Sequence, residues 1–465
     1  MEPSLVRLDA LVRELRQAAR VPGVAVGCLL EGGSSVACDG VTSAEHPLPV
    51  DATTLFQVAS LTKPFTATAL VRLAAEGRLA LDAPVARYLP DFRLPRPEWT
   101  GRVRVEDLLT HRSGWQGDRF FVRAPRVPTL AGLVDEFADN EQLAEPGAVW
   151  SYDNAAFCVA GRLLEVVCEE PYAAALRRLV LEPLGLYRSF LRADEAITHR
   201  VAAPHIVGAN GPHVLRGGGW QPGWELQPFD APAGGLVSCA RDLLAWARFQ
   251  LGDGCAPDGA RLLPEAWLRR MQSALHPAGC NDDAVGLAWL SRDLGGERFF
   301  GHTGQTVGYL SEILLQRERG FALVVLTNSL SDAGLRRALR ARLLADLFGL
   351  RVDDPPDAAD PPRDLGEYLG TWRGPFELQT LRAGDAPGEL VLEPRAHPPQ
   401  PGTWTPPPPP ASRWSFYAPD RLVAREPEAM RGARAEFVRG ADGRVAWFRC
   451  GGRIGPRVAD PVPHS

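Results

Sequence analysis

Leu5, Leu8, Leu11, Val12 and Leu15 recur at helical spacing, which predicts an amphipathic helix over residues 4–19. Short apolar runs at 24–30 and 35–38 flank Glu31-Gly32-Gly33, the pattern of a hairpin. Phe65, Ala69, Leu70, Leu73 and Ala74 predict a second helix that ends near Gly77. Residues 100–300 mix helical segments with loops rich in Gly, Pro and Trp. Apolar residues then alternate on both sides of Gly320 (Tyr309, Ile313, Leu315; Phe321, Leu323, Val325), a second hairpin. Leu335, Leu339, Leu343, Leu344 and Leu347 form a closing helix. Helices and a hairpin at both ends of one domain imply an α+β fold whose antiparallel sheet joins the ends.

The pattern changes after residue 350. Residues 351–364 are acidic and proline-rich and read as a linker. Strand-like runs follow at 376–381, 389–392, 414–417, 422–424, 435–438 and 445–448, the pattern of a small antiparallel barrel or sandwich. The stretch 398–410, with five consecutive prolines, reads as an extended loop, either a rigid spacer or a partner-binding polyproline segment. The chain of 465 residues thus divides into 1–350, the linker, and a tail domain over 365–460.

Hydrophobic residues make up 45% of the chain, enough for a full-size core, and the net charge of −5 gives no reason to expect nucleic acid or an anionic membrane as partner. The N-terminal residues carry mixed charges and no apolar core of a secretory signal, and no apolar run approaches a bilayer span; the expectation is a cytoplasmic protein. Eight cysteines without a C-x-x-C pair read as free buried thiols. Lys63 is the single lysine among 51 basic residues.

That lysine stands in Ser60-Leu61-Thr62-Lys63, just ahead of an apolar-periodic helix. Spacing i, i+3 puts both side chains on one helix face. A serine hydroxyl needs a base beside it to attack a carbonyl, and a lysine in a partly desolvated site can lose its proton near neutral pH. Alone the motif is better explained by an N-cap and a solvated charge; that the only lysine of the chain sits at this offset shifts the reading toward function. Tyr152-Asp153-Asn154 offers a phenol that can relay a proton and a carboxamide that can hold a carbonyl, although alone it reads by default as a buried structural tyrosine. Gly301-His302-Thr303-Gly304 precedes the second hairpin. Its glycines permit close approach of a strand edge, and His302 could share a proton or polarise a carbonyl near neutral pH, or, as a lone histidine, be structural. Trp115 and Asp118 could line a cleft or pack. His199, His205 and His213 are too irregular to suggest a metal. Arg449 and Arg453 of the tail read as a solvated strand face, or as carboxylate binders if the tail faces the cleft.

Ser-x-x-Lys, Tyr-x-Asn and His-Thr-Gly in this order resemble the penicillin-binding-protein and serine β-lactamase family, in its class C and esterase-like branch. Leu108–Gly114 (LLTHRSG), 232–236 (PAGGL) and Thr327-Asn328-Ser329 match as well. The resemblance covers about residues 5–350. It implies an antiparallel sheet flanked by helices with an all-helical subdomain; the tail, with Tyr368-Leu369-Gly370-Thr371-Trp372, is similar to an appended lipocalin-like barrel. It also implies an acyl-enzyme on Ser60, with Lys63 and Tyr152 exchanging its proton. Asn154, Thr303 and Gly304 would stand at the substrate, and His302 where many relatives carry lysine. The backbone N–H groups of Ser60 and Gln305 would form the oxyanion hole. No metal or other cofactor is implied.

With no export signal read, two functions follow from the resemblance. One is a penicillin-binding-protein-type thioesterase that takes a nonribosomal peptide from a peptidyl carrier protein and closes it head to tail. The other is a hydrolase, an esterase or a peptidase acting on D-residues. The first is narrowly preferred on size and placement. A catalytically silent scaffold is a third reading, against which the intact Ser60, Lys63 and Tyr152 count.

Overall fold

The structure is a computed structural model and describes residues 7–118, 129–208, 210–216, 228–330, 332, 334–352, 354–358, 360–397 and 408–458. Helix α1 (Leu8–Ala19) leads into strands β1 (Gly23–Leu30) and β2 (Gly33–Gly40). Glu31 and Gly32 between them both have positive φ, the turn whose twist suits two antiparallel strands. Helices α2 (Thr62–Ala75), α3 (Asn154–Cys168) and α4 (Ala240–Leu251) build the middle. Strands β3 (His276–Pro277), β4 (Ala284–Val285), β5 (Leu290–Leu294), β6 (Glu297–Thr306), β7 (Tyr309–Gln316) and β8 (Phe321–Thr327) follow, then helix α5 (Leu335–Phe348).

One antiparallel sheet of order β2-β1-β8-β7-β6-β5-β4-β3 places the first hairpin beside the last strand. Val24 pairs with Thr327 and Leu29 with Ala322. Alternation sends Val24, Val26, Cys28, Leu323 and Val325 to one face, against α1 and α5. Ala25, Leu29, Phe300, Ile313, Val324 and Leu326 face the larger helical core. β1 and β8 are buried at every position because both faces are covered. Asn328, just past β8, ties the hairpin down: its side chain accepts from Gly23 N at 2.8 Å and donates to the carbonyls of Val41 and Thr42.

Helix α2 lies in the middle of the helical layer, and its side chains from Thr62 to Val71 are all buried. Phe65 stacks on Trp246 of α4 with ring centroids 3.9 Å apart. The site described below therefore begins at the end of a helix with no solvent-facing stripe in its first two turns. Among the described residues no helix is long and apolar enough to cross a membrane.

The tail closes into an eight-stranded antiparallel barrel: β9 (Gly370–Arg373), β10 (Glu377–Ala383), β11 (Glu389–Ala396), β12 (Ser412–Ala418), β13 (Arg421–Glu426), β14 (Arg434–Arg439), β15 (Val445–Cys450) and β16 (Arg453–Val458). Six strands match the runs read from the sequence. The two that were missed, β9 and β16, pair with each other through Thr371–Val458 and Trp372–Arg457 and close the barrel. Trp372, Trp414, Phe416, Phe437 and Phe448 fill it. The 351–364 segment is not a free tether. Ala358 N donates to Phe416 O at 2.7 Å, and Arg425 donates to Pro355 O and Asp357. Of the proline stretch, residues 398–407 lie outside the described residues.

Replacing Trp246 by alanine removes the partner of Phe65 from a close-packed core. An unfolding free energy lower by about 3–5 kcal/mol is expected, read from urea-induced loss of far-UV circular dichroism. Tyr187→Ala at an exposed surface position is the control, with a change within about 0.5 kcal/mol.

Candidate active site

The backbone delivers Ser60 through a strained step. Ala59 has φ of +52°, a left-handed conformation that costs a non-glycine residue energy, and it opens a short 3-10 turn, Ala59–Leu61, that runs straight into α2. The segment is braced on both sides. Val58 N donates to Leu236 O at 3.0 Å, Leu236 N donates to Thr62 Oγ1 at 3.0 Å, and Ser311 Oγ on β7 donates to Val58 O at 2.8 Å. Gly304 of β6 is pressed against this turn. A Cβ there would lie 2.3 Å from Val58 O and 3.0 Å from Ala59 Cβ, so only glycine lets the strand edge come this close. β6 pairs with β5 only as far as Gly301, which leaves residues 302–306 without a strand on that edge, beside Ser60.

Lys63 is fully buried, and its Nζ contacts three groups: Ser60 Oγ at 3.0 Å, Asn154 Oδ1 at 2.6 Å and the Ala233 carbonyl at 2.7 Å. Burial pulls its pKa down to about 7. A neutral amine has two N–H bonds and one lone pair. The two amide oxygens accept only, so they take the two hydrogens, and the lone pair is left for the Ser60 hydroxyl. That is the geometry of a general base on a nucleophile. The solvated-charge reading of Lys63 does not hold in this structure.

Tyr152 hydrogen-bonds the Ser60 side chain, and the Lys63 ammonium position is 5.0 Å from its ring centre. Burial raises the phenol's pKa, so it remains a proton donor while Lys63 is the group that gives up its proton near neutrality. His111 stacks under Tyr152 at 4.5 Å and accepts from Asp153 N at 3.0 Å; burial and the charge of Lys63 hold it neutral. Asp153 caps α3 through Ala156 N at 2.8 Å and takes a hydrogen bond from Ser113. Asn154 is thereby the first residue of α3, aimed at Lys63. His111, Ser113 and Ala233 fell in matching segments of the sequence but carried no assigned role; their contacts are visible only in three dimensions.

His302 lies on the same face of β6 as Gly304, its ring 5.9 Å from that of Tyr152. Its Nδ1 is 2.6 Å from Thr303 O and its Nε2 is buried without a partner among the described atoms. Burial and Lys63 depress its pKa to about 3, which corrects the expectation that it shares a proton near neutral pH: it is a neutral imidazole there. Thr303 pairs with Glu312 on the opposite face, where Glu312 meets Arg340. Gln305 pairs in register with Leu310, one residue past Gly304.

The tail barrel reaches this site. Its β15–β16 hairpin turns at Gly451 and Gly452, both at positive φ, and the tip lies against Tyr152. Tyr152 N donates to Gly452 O at 2.8 Å, and a Cβ on Gly452 would come 3.1 Å from the Trp150 ring. Arg449 and Arg453 are therefore not a solvated strand face. Arg449 is buried, donating to Trp150 O at 2.7 Å and pairing with Glu436. Arg453, whose side chain keeps 28% exposure, lies over the Tyr152 ring and pairs with Asp118. Asp118 is buried and also accepts from Asn154 Nδ2 at 2.5 Å. Trp115 packs against Phe92 and Phe137. His205 uses both ring nitrogens on backbone groups, Ala44 N and Asn328 O. His199 stacks on Phe190, and His213 sits near Gly211 O. All eight cysteines are free thiols.

A family model described as Beta-lactamase matches residues 8–347. The chain belongs to that family. It is 32% identical over 377 residues to penicillin-binding protein 4 of Amycolatopsis lactamdurans, covering 79% of this chain and 96% of that protein. Among solved structures it is similar to SurE with D-Leu, with TM-score 0.76 and 26% identity over 98% of this chain and 99% of that one. It is also similar to the D-amino acid amidase from Ochrobactrum anthropi SV3 complexed with D-phenylalanine, with TM-score 0.60 and 27% identity over 74% and 99%. As a member of this family the chain is a serine hydrolase or acyltransferase.

The protonation state of Lys63 sets the pH dependence. Acylation by a p-nitrophenyl ester, followed as the burst of p-nitrophenolate, is expected to rise tenfold per pH unit below about 7 and to level off above it, since only the neutral amine accepts the Ser60 proton. Lys63→Ala is expected to slow the burst about 10²–10⁴-fold. An unchanged rate in that variant overturns the base assignment.

Proposed function

We propose that this enzyme releases a peptide from a carrier-bound thioester and closes it head to tail. Ser60 Oγ attacks the thioester carbonyl while its proton passes to Lys63. The C–S bond breaks, the thiol leaves with that proton by way of Tyr152, and the peptide is held as an ester of Ser60. The N–H groups of Ser60 and Gln305 stabilise the oxyanion, beside the Gly304 edge. The peptide's own amine then attacks the ester, gives its proton to Lys63, and Ser60 regains it as the C–O bond breaks. Asn154 and His302 border the acyl chain, with Thr303 and Gly304 forming the strand edge it lies along. A peptidyl carrier protein presents the substrate.

The observation that carries this reading is the end-to-end likeness to SurE, whose structure holds D-Leu, including the barrel that here abuts Tyr152. Two features of the site support it. His302 is neutral, and Arg449 and Arg453 of the barrel are already paired with carboxylates. A substrate with a free carboxylate next to the scissile bond would meet Arg449 and Arg453 already holding carboxylates, whereas a thioester asks for no cation. The burial that keeps Lys63 neutral near pH 7 would do the same for an incoming amine, which attacks only when unprotonated.

Hydrolysis is the second reading, favoured by the likeness to the D-amino acid amidase. The two separate in one experiment. A synthetic peptidyl thioester with a D-residue at its C-terminus and a free N-terminal amine is incubated with the enzyme and analysed by mass spectrometry. The cyclic peptide, linear acid minus one water, is expected as the main product. The linear acid alone would make the enzyme a hydrolase, and no consumption with Ser60 intact would leave neither reading standing.

A further inference from the structure

Asn154 holds Lys63 by its oxygen, and an amide can present either end. What decides is the group on its far side. Asp118 is a carboxylate, able only to accept, and it takes Asn154 Nδ2 at 2.5 Å. This turns Oδ1 toward Lys63 at 2.6 Å. With the amide reversed, its NH₂ would face the lysine and occupy the lone pair that Ser60 needs. Asp118 is itself buried, and a carboxylate there must be met by a partner. The partner comes from the other end of the chain. Arg453 of β16 donates its Nε to Asp118 Oδ2 and places Nη2 3.4 Å from Oδ1.

We propose that Asp118, held by Arg453 of the tail barrel, is a positioning residue for proton transfer at Ser60: the pair fixes the orientation of Asn154, and through it the direction of the Lys63 lone pair. Neither residue touches the nucleophile. The proposal rests on Lys63 as base, as read above, and adds that the acyl-transfer site is completed across two domains.

The pair also bears on the lysine's charge. The groups facing Lys63 are the carboxyls of Asp118, Asp153 and Asp230, the Cys158 thiol, the rings of His111, His302 and Tyr152, and Arg453. Asp118 favours the ammonium and Arg453 opposes it. The imidazoles are neutral, and burial raises Asp153 and Asp230 to about 7. Removing one member of the pair should therefore displace the acid limb of the pH profile in opposite senses.

The test compares Asp118→Asn, Arg453→Met and the double variant in the full chain. Bursts with p-nitrophenyl butyrate are recorded from pH 5 to 9, and folding is checked by near-UV circular dichroism. Both single variants are expected to lose about ten- to a hundredfold in the saturating acylation rate above pH 8, with the half-saturating concentration little changed. The acid limb moves to lower pH in Asp118→Asn and to higher pH in Arg453→Met. The double variant is no slower than the slower single variant, because one chain of contacts has been cut twice. If Arg453→Met does not fold, Arg453→Lys keeps the charge without the fork, and it should show the rate loss with a smaller limb shift. The proposal is overturned if either single variant keeps its plateau rate, if the Arg453 loss lies in half-saturation and so in direct substrate contact, or if the losses multiply in the double variant. Near-normal rates in Lys63→Ala would instead overturn the base assignment on which the proposal stands.

Discussion

The site depends on keeping one amine out of water. A lysine side chain normally avoids full burial because its ammonium loses solvation that hydrogen bonds only partly return. Here the first two turns of α2 are covered on every side, and the residue at the fourth position after the nucleophilic turn begins must be neutral or well partnered. The three contacts of Nζ satisfy the neutral form without surplus: two acceptors for two hydrogens and a hydroxyl for the lone pair. The helix burial, the Ala233 turn and the Asn154 start of α3 are therefore parts of one constraint.

Around that amine the charges are cancelled in pairs or withheld. Arg453 meets Asp118, Arg449 meets Glu436, and Arg340 meets Glu312 on the far face of the sheet. The carboxyls of Asp153 and Asp230, lacking a guanidinium, are pushed up by burial, and His302 and His111 are pushed down. In a low-dielectric pocket an uncancelled charge acts strongly on its neighbours. With the guanidinium charges paired, displacements of charge during acyl transfer are answered by fixed dipoles and N–H groups.

How much of this could be read in advance depended on how local each signal was. The hairpin at 24–38 was legible from apolar runs around Glu31-Gly32-Gly33, the one at 309–327 from apolar residues at alternating positions, and the closing helix from a face that repeats every three to four residues. Ser60, Lys63, Tyr152, Asn154 and His302 were legible through short motifs, and the structure brings them together. The neutrality of His302 was not, since it depends on burial and on a lysine 239 positions away. β9 and β16 escaped because Gly370 and the Gly455-Pro456 step interrupt their alternation, and barrel closure supplies what local propensity lacks. Arg453 looked like any polar residue of an exposed strand; its place is set by the docking of a whole barrel.

That docking explains why a compact barrel suits the task. A side chain that must meet a buried carboxylate across a domain boundary has to be carried on something stiff, because a loop would spread the guanidinium over many positions. The closed sheet supplies stiffness, and the two-glycine turn supplies reach: positive φ at Gly451 and Gly452 folds the tip tightly enough to fit against Trp150 and Tyr152 without a Cβ. Three contacts register the tip, Tyr152 N to Gly452 O, Ile454 N to Ser151 Oγ and Arg449 to Trp150 O, all within the three residues 150–152 shortly before Asn154. Three such bonds leave the hairpin little freedom to slide, so the distance from Arg453 to Asp118 is set by backbone geometry rather than by a flexible side chain searching for its partner.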